Sequence, residues 1–390
     1  MTNNQDIIIL DIQQISDFSH SDLEGTAIIM PCTDTEMGMK TAEVLLRRAG
    51  MPCNIFIVHD TIRQGFVKTL NQTAARISAK YIVYLAQDAW PGRGWLKCGY
   101  DTLEKSGKGL LAFNDGKWQG RIASFGMVRT SWIKTIYGGD IFYPGYSSHG
   151  ADNEITVIAR VQNNHEYNPE CTLMEHDPDK DFGGSNPKDS KLFKKRFIQG
   201  FDELAPLSKL QELALEYKVK WIQPGVSIII NANKTPHRLE RFLATFTRTN
   251  TFHPVELIIL DHASSKETAK TITNYSTSNI IRHIIIPEDQ QIKANNLYAW
   301  KTAADKARYL YLFFLKDIVE YNNDLLKTSL KEFENPKAEI ILLNKESIIN
   351  QSNNHHYTTI NKEQLTDNMN FHGFICRKID CSKNILSILK

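Results

Sequence analysis

The stretch Lys80-Tyr81-Ile82-Val83-Tyr84-Leu85-Ala86-Gln87-Asp88-Ala89-Trp90-Pro91-Gly92-Arg93-Gly94-Trp95-Leu96 decides how the rest of the chain reads. Its short apolar run, Tyr81 to Leu85, has the length and character of a buried strand. A carboxylate, Asp88, follows the run, and Pro91, Gly92 and Gly94 then break regular structure. Trp95 and Leu96 restart an apolar helical pattern. Open α/β sheets bind ligands outside the carboxyl ends of their strands, which is where such an acid stands. A carboxylate there can share a divalent cation with the phosphates of a ligand. The competing reading is a strand-to-helix turn in which Asp88 caps the helix.

Upstream, Thr26 to Met30 reads as a buried strand closed by Pro31, and Cys32 to Met37 as a loop. Lys40 to Ala49 is amphipathic through Ala42, Leu45, Leu46 and Ala49, and stops at Gly50 and Pro52. Asn54 to Val58 is a second strand, ending at His59-Asp60. Alternating strand and helix implies parallel pairing with a right-handed crossover. The ends Pro31-Cys32-Thr33-Asp34 and His59-Asp60 then face the same crevice as Asp88. A helix over Phe66 to Ile77 leads into the central strand, and Ile7 to Ile12 fits either an edge strand or an unanchored tail.

Downstream, Leu110 to Phe113 is a further strand, followed by the turn Asn114 to Lys117. Phe142-Tyr143-Pro144-Gly145-Tyr146 is an aromatic loop suited to sugar rings or to an ordinary core. His149-Gly150-Ala151-Asp152-Asn153-Glu154-Ile155 opens a helix with two acids at its amino end. The helix dipole favours acids there, so an N-cap competes with a general-base role for Asp152. Glu175-His176-Asp177-Pro178-Asp179 supplies a histidine, as a metal ligand or as a surface residue, before a loop rich in Asp, Gly, Asn and Pro.

These segments, in this order across residues 26 to 178, resemble the GT-A-fold glycosyltransferases that use nucleotide sugars. Strand, acid, Pro-Gly and Trp-Leu match the family's metal segment, whose usual Asp-x-Asp reads Ala86-Gln87-Asp88 here. The resemblance places Thr33, Asp34 and Asp60 on the nucleoside, with Pro31, Asn71 and Gln87 beside them. It makes Asp88 and His176 ligands of Mn2+ or Mg2+. It makes Asp152 the base of an inverting transfer with Glu154 its neighbour, the family's glutamate being Ala151 here. The implied donor is a nucleoside diphosphate sugar, UDP favoured, and the acceptor a saccharide, free or lipid-linked. The implied setting is surface-polysaccharide synthesis in a bacterial cytoplasm, with peripheral membrane contact open. The alternatives are a degenerate sugar- or nucleotide-binding scaffold and a bifunctional enzyme.

The second half repeats the plan. The stretch Val226 to Lys234 and strand Val255 to Leu260 flank a helix over Arg238 to Thr247, and Asp261-His262 follows. Strand Tyr309 to Leu315 ends in Lys316-Asp317, where the lysine opposes a metal by charge repulsion. No base motif follows Phe371-His372-Gly373-Phe374. The expected fold is α/β, two GT-A-like domains with mostly parallel sheets. A catalytic domain covers 1–181, a helical linker 182–222, and a shortened, non-catalytic copy 223–390.

The length of 390 residues suits two domains at roughly 100–200 residues each. A net charge of +2 gives no global case for nucleic acid, and the basic run Lys191 to Arg196 reads as a solvated helix face. No apolar run approaches the ~20 residues of a membrane span. No signal-peptide pattern opens the sequence. The six cysteines form no Cys-x-x-Cys, so free thiols in a reducing cytoplasm are expected and no zinc site.

Overall fold

The computed structural model describes residues 6–175, 186–221, 224–232, 236–249, 254–261, 266–275, 280–286, 297–315, 323–334, 338–343, 357–360 and 373–378. The chain divides into two compact units, Met1–Ala205 and Pro206–Lys390.

The first unit starts with β1 (Ile7–Asp11), β2 (His20–Cys32), α1 (Thr35–Arg48) and β3 (Asn54–His59). Next come α2 (Phe66–Ala74), β4 (Ile77–Tyr84), β5 (Ala89–Pro91) and α3 (Trp95–Ser106). β6 (Leu110–Asn114), β7 (Gly126–Arg129), α4 (Thr130–Tyr137), α5 (Ala151–Val161), β8 (His165–Glu175) and α6 (Pro187–Ile198) complete it. The sheet order is β1-β3-β2-β4-β7-β6-β8-β5. β1, β3, β2 and β4 pair in parallel, with Ile28 opposite both Ile55 and Val83. β7 then runs antiparallel to β4 and β6, and β5 antiparallel to β8.

The parallel block is apolar on both faces, as helix-covered strands must be. Ile28, Ile55, Ile57 and Val83 pack with Leu45 and Leu96 on one side, and Trp95 donates its indole N–H to the Leu45 carbonyl at 3.1 Å. Because α1 leads to β3 on one side of β2 and α2 returns to β4 on the other, the chain reverses direction beside β2. Such a switch point opens a crevice at the strand ends. β1 settles the open reading of the N-terminal run: it is an edge strand, Ile7 opposite Ile55.

The segment expected to be a helical connector is two separate helices. α6 belongs with the first unit, and a break at Phe201, Asp202 and Glu203, all with left-handed backbone, precedes the next helix. Three such residues in a row cannot continue a right-handed helix. The basic run is not simply solvated either, since Arg196 is buried. Free thiols were expected throughout, but Cys98 of α3 and Cys171 of β8 form a disulfide, their Cα atoms 5.4 Å apart. A sequence separation of 73 gave no spacing signal, and only the packing of α3 on β8 brings them together.

The second unit holds α7 (Leu207–Glu216), β9 (Val226–Asn231), α8 (Pro236–Thr249), β10 (Val255–Asp261), α9 (Lys266–Tyr275) and β11 (Ile281–Ile285). α10 (Leu297–Lys306), β12 (Tyr311–Leu315), α11 (Asn323–Lys331), β13 (Ile340–Leu343), β14 (Tyr357–Ile360) and β15 (Gly373–Arg377) follow. Its order, β11-β10-β9-β12-β15-β13-β14, again sets a parallel block beside antiparallel strands. α7 is tied to this sheet by the Gln211 side-chain carbonyl, which accepts from the Gly225 and Leu310 N–H groups at 3.2 and 2.9 Å. The α/β class therefore holds in both halves.

Candidate functional site

A cavity of about 400 Å³ opens at the carboxyl ends of β2, β3 and β4. Pro31 and Cys32 line it from β2 and Thr33 from just beyond, Asp60, Arg63 and Gly65 from the loop after β3, Phe66 from the start of α2, and Ala86, Gln87 and Asp88 from beyond β4. Met37 of α1 closes one side.

Each wall has a local cause. Asp34 is the N-cap of α1, its carboxylate accepting from the Glu36 and Met37 N–H groups at 3.0 Å. The Gln87 side-chain carbonyl accepts from the backbone N–H of Thr33 at 2.9 Å and of Asp34 at 3.3 Å, so this one amide fixes the β2–α1 turn. Asp60 is 5% exposed and organises its own loop. One carboxylate oxygen accepts from Gln64 N–H at 3.0 Å, the other from Gly65 N–H at 2.9 Å. Each oxygen keeps a second lone pair for a ligand. Gly65 must be glycine twice over: its φ is +101°, and a Cβ there would lie 2.9 Å from the Ser147 carbonyl oxygen. Asp88 is 5% exposed and faces the same cavity. Burial and the Asp34 charge push the Cys32 thiol up to about 11, so this wall offers no thiolate at neutral pH.

Asp152 is outside this lining. It stands in the first turn of α5, half-buried, with one oxygen accepting from Asn153 N–H at 2.9 Å. Burial raises its pKa, partly offset by backbone N–H donors and by His149. Its charge in turn helps to raise the pKa of Tyr84, at the end of β4, after burial itself. The loop before α5 reaches the cavity rim, where the Ser147 carbonyl accepts from Val67 N–H at 3.3 Å.

Asp34, expected on the nucleoside, is outside the lining and serves as the N-cap of α1, and two further expected site residues are occupied elsewhere. Asn71 was expected beside the nucleoside; it is buried, with its amide donating to Phe142 O and accepting from Ile141 and Phe142 N–H. Glu154 was expected beside the base; it is wholly buried and accepts two bonds from Arg196 at 2.8 Å and one each from the Tyr137 and Tyr146 hydroxyls at 2.7 Å. Four acceptor sites meet four donors, so Glu154 has no capacity left for a substrate. His176 lies outside the described residues, as do Lys316 and Asp317 of the second half.

Sequence reasoning missed three residues. Arg63 reaches the cavity from a loop position without a motif. Arg196 was read as a surface cation. Asp189, in the presumed linker, is 2% exposed and accepts from the Ser147, Ser148 and His149 N–H groups at 3.0–3.1 Å, holding the loop before α5. The available signal was an acid followed seven residues later by an arginine on one helix, two turns apart and on one face.

Among the described residues no group of three His, Cys, Asp or Glu side chains could hold a metal ion. One buried carboxylate beside an open cavity fits a hard cation that keeps waters and takes substrate phosphate oxygens, as Mg2+ does. It does not fit a protein-built cage. No helix among the described residues is long and apolar enough to cross a membrane.

The fold thus defines an α/β protein with a cavity at the switch point of its first sheet. No protein-family model matches the sequence. No curated protein matches it. Among solved structures, it is similar to a mannosyltransferase from Pyrobaculum calidifontis in complex with GDP-Man and Mn2+. The identity is 14% and the TM-score 0.26, over 38% of this chain and 44% of that one. S. aureus TarS aligns at 12% identity and TM-score 0.34, over 45% of this chain and 40% of that one. TarS 1–349 in complex with UDP aligns at 11% and 0.34, over 49% and 72%. The chain spans less than half the length of the first two. These scores carry no conclusion about site or reaction.

Proposed function

We propose that the first unit is a glycosyltransferase that moves a sugar from a nucleoside diphosphate donor, UDP favoured, to a saccharide hydroxyl with inversion. One observation carries the reading: two buried acids, Asp60 after β3 and Asp88 beyond β4 on either side of β2, share one cavity at the switch point of a parallel sheet. Asp60 takes the imide N–H of the base through its remaining lone pairs. Gln87 keeps the β2–α1 turn in place against the nucleoside. Asp88 would hold Mn2+ or Mg2+ beside the donor's phosphates, with His176 as the second ligand the sequence offers. A bound cation would stabilise the charge that develops on the departing diphosphate.

Asp152 is the general base. As the acceptor oxygen attacks the anomeric carbon, its proton passes to the Asp152 carboxylate. The carbon–oxygen bond to the diphosphate breaks, and the electron pair leaves with the phosphate. Burial suits Asp152 to this role, because a raised pKa makes a carboxylate a stronger base. Glu154 and Arg196 orient α5, and Asp189 orients the loop before it. The second unit is the shortened copy, a platform without transfer of its own.

A panel of nucleotide sugars, assayed for transfer and for hydrolysis, tests the reading. Asp152→Asn should bind donor as the wild type does and lose about 10²–10⁴-fold in kcat. In the wild type, activity should fall toward acid with a midpoint above the ordinary carboxylate range, since the base must be deprotonated. Unchanged turnover in the variant would remove Asp152 from the mechanism. Donor binding with no transfer to any acceptor would favour a scaffold.

A further inference from the structure

The cavity presents a cation that no motif announced. Arg63 lines it, is exposed, and has a backbone φ of +54°. Seven non-glycine residues among those described have left-handed backbone, and of these Arg63 alone belongs to the cavity wall. Such outliers persist only where their surroundings impose them, and they gather at ligand sites. The imposing contacts are visible here. The Asp60 carbonyl accepts from Arg63 N–H at 3.1 Å, while the Asp60 carboxylate accepts from the next two N–H groups, Gln64 and Gly65. The loop is therefore wound around a single buried acid, and the start of the Arg63 side chain is fixed with it. No carboxylate among the described residues pairs with the guanidinium.

Charge gives the arrangement its sense. The other ionised groups facing the cavity are Asp60 and Asp88, which oppose an anionic ligand. α2 begins at this same wall, and its N-cap Gly65 brings no side-chain cap, so the positive end of the helix faces the cavity. The residue two before Asp88 is Ala86, which leaves a single acid on that strand end to hold a cation. A diphosphate entering here needs a fixed positive partner, and an arginine fork matches phosphate oxygens in pairs.

We infer that Arg63 receives the diphosphate of the donor, so that nucleotide binding persists without a divalent cation. This rests on the donor-site reading of the cavity. Calorimetry on the full chain, with UDP and GDP each beside its nucleoside, in EDTA and then in Mn2+, separates the two claims. Wild type in EDTA should bind a diphosphate more tightly than its nucleoside. Arg63→Ala should lose tenfold or more for the diphosphate in EDTA and nothing for the nucleoside. Arg63→Lys should recover part of the loss. An alanine variant that binds the diphosphate as wild type does would overturn the role of Arg63 and leave the donor site standing. Equal losses for nucleoside and diphosphate would also overturn it, by showing a loop defect. A wild type that binds neither nucleotide would end the donor-site reading and this inference together.

Discussion

Both units finish a core parallel strand with a buried acid, and the two acids have opposite neighbours. Asp60, just beyond β3, is held by N–H groups of its own loop and borders a cavity. Asp261, the last residue of β10, is 3% exposed and lies 2.8 Å from the ring nitrogen of His283 on the adjacent edge strand β11. A carboxylate held by backbone donors keeps lone pairs for a ligand, and the loop around it is shaped to admit one. A carboxylate turned to a side chain on the next strand serves the sheet. The same residue type at the same place in a repeated plan thus borders a cavity in one unit and contacts a neighbouring strand in the other.

The largest expected difference concerns a second pair. Each unit buries a glutamate almost completely, Glu154 in α5 and Glu256 in β10. Arg196, whose side chain is 5% exposed, gives Glu154 two of its four hydrogen bonds. Arg196→Ala should cost the first unit about 3–5 kcal/mol, the range for orphaning a buried charge. Glu256 is held by the Ser227 hydroxyl at 2.8 Å and Arg308 N–H at 2.6 Å as well as by Arg282, which is partly solvated. Arg282→Ala should therefore cost the second unit only about 1 kcal/mol. Hydrogen exchange of peptides from α5 and α6, against those from β10, reads both losses. Equal losses would erase the contrast.

Acid should next separate the units. Burial, aided by Arg160 and Lys108, lowers the pKa of His165 in β8 to about 4. The unfolded chain, with a histidine near 6.5, then binds the extra proton first. Stability from keeping this ring neutral is complete above pH 6.5 and is lost as pH falls toward 4, up to about 3 kcal/mol. His165→Gln should flatten the pH dependence of exchange in the first unit between these values. A variant with wild-type pH dependence would refute the assignment.

The plan was legible where pattern is local. Apolar runs gave β2, β3, β4 and β6, and the acids after them, Asp60 and Asp88, do share a cavity. What the sequence hid depends on distance along the chain. Asp189 and Arg196 act on a loop and a helix some 40 residues earlier, so their role had no periodicity to betray it. The Cys98–Cys171 pair and strands β5 and β8 were hidden for the same reason, since β5 is three residues long and exists through its partner. Asn71 and Glu154 looked like site residues because a polar group beside a motif is ambiguous until its partners are known.

The smallest effect is the most direct test of the opening contrast. In Asp60→Asn one carboxylate oxygen becomes an amide nitrogen, which then faces an N–H donor of Gln64 or Gly65 instead of accepting from it. The loop loses one anchor and the base its charged acceptor, which outweighs the eased repulsion of the diphosphate, and affinity for UDP should fall roughly tenfold, the equivalent of about 1.4 kcal/mol. Asp261→Asn can still accept from or donate to the His283 ring, and UDP affinity should not change. Calorimetry on the full chain measures both. If Asp261→Asn weakens UDP as much as Asp60→Asn does, the second unit carries nucleotide too, and the division of labour drawn from these two acids is wrong.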